Sequence, residues 1–192
     1  LGETGQSATY SRSEDTRQAP DMATTPDELF RLFDRLEIPV RTYQHKPTFT
    51  VEEGQDLKAG MPGGHSKNLF LKDKAGQLVL ISAEAHTQLK LNRLHKLIGT
   101  GRLSFGPEDL MVSHLGVTPG SVTAFALANP ASKPVRFILE KTLSDSDPLN
   151  FHPLRNDMTT AIARADFDRF LAAVGHSAEV IDFSVLEDEA GG

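Results

Sequence analysis

The stretch "GGHSKNLFLKDKAGQLVLISA", residues 63–83, decides the fold of this chain. Two apolar runs flank "DKAG", where Gly76 can take the positive backbone angle that a tight connection needs, so the stretch predicts a β-hairpin. Period-two alternation sends Lys67, Leu69 and Leu71 to one face and Asn68, Phe70 and Lys72 to the other, so each face mixes apolar bodies with a polar group. Strand propensity favours Val, Ile or Phe at the mouth of such a strand, and an amine there instead marks Lys67 as bordering a buried pocket.

On the N-terminal side, Thr25, Pro26 and Glu28 form a capping box with proline at the first helical position. Leu29, Phe30, Leu32, Phe33 and Leu36 then make the apolar stripe of an amphipathic helix ending before Pro39. A second capping box, Thr50 with Glu53, predicts a short helix closed by Gly60. On the C-terminal side, Leu89, Leu94, Leu97 and Ile98 suit a helix terminated by Gly99 or Gly101, and Pro107 opens another over "GPEDLMVSHLG". "SVTAFALA" (121–128), "VRFILEKTL" (135–143) and "DMTTAIA" (157–163) read as short strands. "ADFDRFLAAVGH" is a helix capped by Gly175, followed by a last strand in "AEVIDF" (178–183). There is no internal repeat, and helices scattered among hairpin-linked strands predict an α+β fold: a mixed, largely antiparallel sheet flanked by helices.

The 192 residues, 39% hydrophobic and 24% charged, fit one globular unit, assigned to residues 23–186. Residues 1–22, polar and without apolar periodicity, read as a disordered leader in front of Met22, and residues 187–192 as an acidic tail. No apolar run approaches the length of a membrane span, and the first twenty residues are too polar for a secretory signal, so a cytoplasmic setting is expected. With no cysteine, disulfides, thiolate zinc sites and a cysteine nucleophile are all excluded. The net charge of -6 is uneven: residues 1–22 carry -2 and Glu187, Asp188 and Glu189 carry -3, leaving a nearly neutral body that can still present a local basic patch.

The seven histidines (45, 65, 86, 95, 114, 152 and 176) show no HxH or HExxH spacing, so no metal site is expected. Neither a G-x-S-x-G elbow nor a phosphate-binding G-x-x-x-x-G-K-[ST] loop occurs. Three polar groups in unusual places remain: Lys67 and Asn68 at the strand start, "GVTPGSV" at 116–122, and "NFHPLRND" at 150–157.

These blocks, "SKNLFLKD", "LGVTPGSVTAFAL" and "NFHPLRNDMTTAI", taken in order, resemble the free-standing bacterial aminoacyl-tRNA deacylases related to the editing insertion of prolyl-tRNA synthetase. The resemblance runs from about Thr25 to Phe183. It implies hydrolysis of mischarged alanyl-tRNA(Pro), without a cofactor, by a domain whose partners are the tRNA(Pro) acceptor end carrying alanine and, as a second candidate, prolyl-tRNA synthetase. The family's lysine falls on Lys67, its asparagine on Asn68, and a histidine-proline loop near its active site on His152 and Pro153. Lys72 and Arg102 occupy places that face the acceptor end in similar proteins. Many relatives have glycine four positions before that proline, where this chain has Leu149.

An aminoacyl ester is already activated, so such a protein has chiefly to position it, polarise its carbonyl and admit water or the vicinal ribose hydroxyl. Lys67 and the backbone amides of Thr118, Pro119, Gly120 and Ser121 (the "TPGS" turn, in which proline has none) are the expected source of donors to the oxyanion. His152 would orient substrate or relay a proton. Each position also has an ordinary use: Lys67 as a solvated strand end, Asn68 as a loop tie, the glycines and proline as a turn, His152 as a turn histidine. A deacylase acting on cysteine or serine, and a non-catalytic tRNA- or synthetase-binding module, are the competing readings.

Overall fold

The computed structural model describes residues 25–47 and 60–188, the side chains of Glu187 and Asp188 excepted. The leader, the helix expected from Thr50 to Gly60 and the end of the acidic tail lie outside the described residues, apart from Gly60 itself.

Helix α1 (Pro26–Arg35) starts on the expected capping box: the Glu28 amide donates to Thr25 Oγ1 (3.2 Å) and the Thr25 amide to Glu28 Oε2 (2.9 Å). Strand β1 (Val40–Gln44) follows, and then the hairpin, β2 (Gly64–Asp73) and β3 (Leu78–Glu84), paired antiparallel from Ser66↔Glu84 to Lys72↔Leu78. Its turn carries Gly76 at φ 91°, as the sequence predicts, and is braced by Asp73, whose Oδ1 accepts the amides of Ala75 (2.8 Å) and Gln77 (2.9 Å). Helix α2 (Leu91–Leu97), strand β4 (Leu103–Phe105) and helix α3 (Glu108–Leu115) come next; Gly99 and Gly116 end the two helices at φ 68° and 67°. Strand β5 (Val135–Glu140) runs into a single helical turn, α4 (Lys141–Ser144). Strands β6 (Leu149–Phe151) and β7 (Met158–Ile162), helix α5 (Arg164–Ala173), strand β8 (Glu179–Ile181) and helix α6 (Val185–Asp188) complete the chain.

The strands form one sheet in the order β1-β7-β6-β2-β3-β5-β8, with β4 on the end of β2. Four of its seven pairings are antiparallel; β2 with β6, β3 with β5, and β5 with β8 are parallel. Helices cover both faces, so the α+β expectation stands. On one face Phe70, Leu80, Phe137 and Leu139 pack with α1, α3 and α5; on the other Leu71, Val79, Ile81 and Ile138 pack with Leu94, Ile98 and Leu186. The strand alternation read from the hairpin is therefore what divides the two cores.

Two predicted strands are corrected. Residues 121–128 contain a 3₁₀ helix, Ala124–Ala128, whose five residues are all buried. Thr123 Oγ1 caps the Phe125 amide (3.3 Å), and Phe125 sits in an aromatic cluster, with ring centroids 5.2 Å from Phe33, 5.3 Å from Phe151 and 5.4 Å from Phe170. A run buried on every side shows no alternation, and this packing overrides β propensity. The strand expected over 135–143 stops at Glu140 because Lys141 to Ser144 turn helical. The last strand is shorter than expected, and α6 follows it into the segment read as an acidic tail.

The paired glycines before β2 have a steric cause. A Cβ on Gly63, which is at φ 97°, would lie 2.1 Å from the Pro148 carbonyl oxygen, and one on Gly64 would lie 2.6 Å from Ser146 Cβ. Gly63→Ala adds left-handed backbone strain to that clash and is expected to cost roughly 2 to 6 kcal/mol, read as a lowered urea midpoint.

Candidate active site

The backbone approach at Gly63 and Gly64 pairs β2 with β6 for two residues, Gly64↔Leu149 and His65↔Asn150, and the Gly64 amide donates to the Pro148 carbonyl (2.9 Å). Lys67 lies two residues beyond this joint within β2, and His152 two residues beyond it, just past the end of β6. Leu149, where many relatives have glycine, is fully buried in β6 and packs in the first core.

A chain of hydrogen bonds crosses the joint. Ser82 Oγ donates to Asn68 Oδ1 (2.5 Å), the Asn68 amide to Ser66 Oγ (3.2 Å), and Ser66 Oγ to the Asn150 carbonyl (2.8 Å). The Asn150 amide donates to the carbonyls of Pro62 (3.0 Å) and Gly64 (3.1 Å), while its buried Oδ1 has no partner among the described residues. Asn68 therefore has a fixed amide, with its carbonyl oxygen occupied by Ser82.

Lys67 stands opposite Ala83 and, by alternation, faces the second core. Its ammonium donates to the Thr87 carbonyl, near two carboxylates, Glu140 and Glu84. Partial burial lowers the Lys67 pKa, and the negative charges of Glu140 and Glu84 partly offset this. An ammonium has three N–H donors, and among the described residues one hydrogen bond of this group, to Thr87, is seen.

His152 Nδ1 contacts the Met158 carbonyl (2.9 Å). A carbonyl only accepts, so this nitrogen carries the proton and Nε2 holds the lone pair in the neutral ring. The ring of His45 lies 6.3 Å from it, and His45 Nε2 meets Thr159 Oγ1 (2.9 Å). Pro153 is buried, and Leu154 after it takes φ 64°, which makes the histidine-proline segment a tight turn.

The "TPGS" turn is mostly exposed. Gly120 is at φ 89°, and the flanking Val117 and Val122 pack with the first core, on the Asn68 side of the sheet rather than the Lys67 side. The Ser121 amide donates to the Thr118 carbonyl (3.0 Å) to close the turn, so of the expected donors the Thr118 and Gly120 amides remain. Lys72 is half-buried and Arg102 exposed; they adjoin at the β2–β4 end, with Lys72 roughly 16 Å from Lys67 along the strand. A depression of about 560 Å³ lined by Asp73, Gly76, Gln77, Leu110, His114 and Pro134 lies at that same hairpin end, away from the amine.

Among the described residues no group of three acidic or histidine side chains could hold a metal, and no helix is long and apolar enough to cross a membrane. Sequence reasoning missed Ser66, Ser82, Thr87, Glu140 and Asn150. Ser82 and Glu140 carried a signal, each a polar residue in or ending an apolar strand.

This α+β fold, with two groups of strands joined by a short parallel pairing, is that of an aminoacyl-tRNA editing domain. The chain belongs to the aminoacyl-tRNA editing domain family, whose model matches residues 45–170. Among its relatives are the prolyl-tRNA synthetase associated domain-containing protein 1 of Xenopus laevis, 35% identical over 81% of this chain and 95% of the relative, and of Danio rerio, 32% identical over 81% and 86%. The prolyl-tRNA editing protein ProX of Acetoanaerobium sticklandii is 29% identical over 78% of this chain and 92% of the relative. A solved structure of a candidate trans-editing enzyme for prolyl tRNA synthetase superposes with TM-score 0.56 at 18% identity, over 74% of this chain and 85% of that one, a likeness of fold.

The polar chain across the joint makes a stability prediction. Ser82 is fully buried, and Ser82→Ala takes the donor from Asn68 Oδ1, with an expected loss of about 1 to 3 kcal/mol in urea unfolding.

Proposed function

We propose that this chain is a trans-editing hydrolase that removes alanine from mischarged alanyl-tRNA(Pro) by hydrolysing the aminoacyl ester. The observation that carries the reading is the half-buried Lys67 ammonium, which donates to the Thr87 carbonyl beside Glu140 and Glu84 close to where the β2–β6 pairing ends, in a member of an editing-domain family. The names of ProX and the synthetase-associated relatives support the prolyl system as its setting and prolyl-tRNA synthetase as a partner.

The ester needs no strong nucleophile. Water, with the vicinal ribose hydroxyl able to assist by hydrogen bonding, attacks the carbonyl carbon; the bond to the ribose oxygen breaks, that oxygen takes up the proton lost by the water, and alanine leaves as its carboxylate. Lys67 supplies positive charge and N–H donors where negative charge develops. The donor role expected of the Thr118 and Gly120 amides, in the turn of Pro119, Gly120 and Ser121, is not carried into this step, because that turn packs on the Asn68 side of the sheet. Asn68 and the turn at Pro153 shape the pocket, and His152, its Nδ1–H held by Met158, orients the substrate. Lys72 and Arg102 contact the acceptor-stem backbone.

Selectivity follows from size. One missing methylene is worth only about 1 to 3 kcal/mol in an apolar pocket, so a synthetase built for proline accepts alanine. A second pocket too small for the proline ring spares the correct product by steric exclusion.

The purified protein is expected to release alanine from alanyl-tRNA(Pro) and to leave prolyl-tRNA(Pro) and cysteinyl-tRNA intact, with Lys67→Ala slower by more than tenfold and still folded. Release of cysteine would change the substrate; no release at all would make the chain a binding module.

Neutralising Lys72 and Arg102 together is expected to weaken tRNA binding and to flatten the plot of log affinity against log salt by about 1.5 to 2. An unaltered slope would reject the phosphate contacts.

A further inference from the structure

Glu140 is a carboxylate with only 2% of its surface exposed, and neither the fold nor the proposed hydrolysis accounts for it. It ends β5 two residues after Ile138, which packs in the second core, so alternation points its side chain to the face of Lys67. An isolated buried carboxylate is costly unless donors surround it, and Glu140 has them: Thr87 Oγ1 donates to Oε1 (2.7 Å) and the Glu84 amide to Oε2 (2.5 Å). Each oxygen thus holds one end of the turn from Glu84 to Thr87. That turn is closed by the Thr87 amide on the Glu84 carbonyl (3.1 Å) and by the His86 amide on Glu84 Oε2 (2.7 Å). The Thr87 carbonyl, at its far end, is the acceptor of the Lys67 ammonium.

We infer that Glu140 is a positioning residue for Lys67: it clamps the 84–87 turn by both ends and places the Thr87 carbonyl that aims the ammonium. The inference rests on the proposed role of Lys67. The charged groups around the amine are Glu140 from β5 and Glu84 from β3. His86 and Lys90 lie in and beyond the turn, and Lys141, next to Glu140, is directed to Asp145 (2.5 Å). Burial lowers the Lys67 pKa and the two carboxylates raise it, so removing Glu140 leaves desolvation less opposed.

The test combines side-chain NMR titration of Lys67 with the pH profile of alanyl-tRNA(Pro) deacylation, in the parent and in Glu140→Gln. The variant is expected to titrate Lys67 at lower pH, to lose activity at correspondingly lower pH on the alkaline side, and to turn over about tenfold or more slowly. In a Lys67→Ala background, Glu140→Gln should cost little more, because Glu140 acts through the ammonium that the first change has already removed. A folded Glu140→Gln protein with an unmoved Lys67 titration and the parent pH profile overturns the inference. Should that variant fail to fold, Thr87→Val decides: it removes only the hydroxyl anchor and is expected to slow deacylation several-fold, and a parent-like rate and titration would reject the clamp. If Lys67→Ala retains full activity, the hydrolytic role of the lysine falls, while the NMR titration still reads the coupling between Glu140 and the amine.

Discussion

The two-residue parallel pairing of β2 with β6 is the constraint on which the rest of the structure depends. It joins the β1-β7-β6 strands to the β2-β3-β5-β8 strands, and it exists only because residues 63 and 64 lack a Cβ where the backbone meets the segment before β6. Any side chain at Gly63 would push into the Pro148 carbonyl. Past this joint the pairing stops and β6 ends at Phe151, with Lys67 on β2 and His152 just beyond β6 following it. The candidate site is placed where sheet pairing stops, since the backbone there is no longer committed to a neighbouring strand.

The same joint concentrates polar groups that a core would otherwise exclude. Ser66, Asn68, Ser82 and Asn150 satisfy one another along one chain, and Lys67, Thr87, Glu84 and Glu140 form a second group on the opposite face. Burying them costs desolvation that Val or Leu would not incur, and the hydrogen bonds among them offset part of that cost. The unpartnered Asn150 Oδ1 is the residue of that arrangement. Around both groups lie cores dense enough to hold them: the phenylalanine cluster centred on Phe125 on one side, and the Val79, Ile81 and Ile138 layer on the other.

Much of this was legible residue by residue. The capping box at Thr25, the turn glycine at 76, the helix-ending glycines at 99 and 116 and the alternation of β2 are local, and local chemistry decides them. The strand expected over 121–128 was not legible in the same way. Its residues satisfy β propensity, and only the packing of Phe125 among Phe33, Phe151 and Phe170 favours a helical turn. The "TPGS" amides illustrate a finer limit: residue types identify a turn, but not that the Ser121 amide is spent on closing it.

By itself, the sequence determined the α+β class, the hairpin, the division of its residues between two faces and the identity of the candidate amine, because periodicity and turn chemistry act over a few residues. The tertiary structure alone decided that β2 meets β6 in parallel and that Glu140, 73 residues further along the chain, shares a buried corner with that amine. Those relations come from long-range strand pairing and from the satisfaction of buried polar groups, which no local pattern of residues encodes.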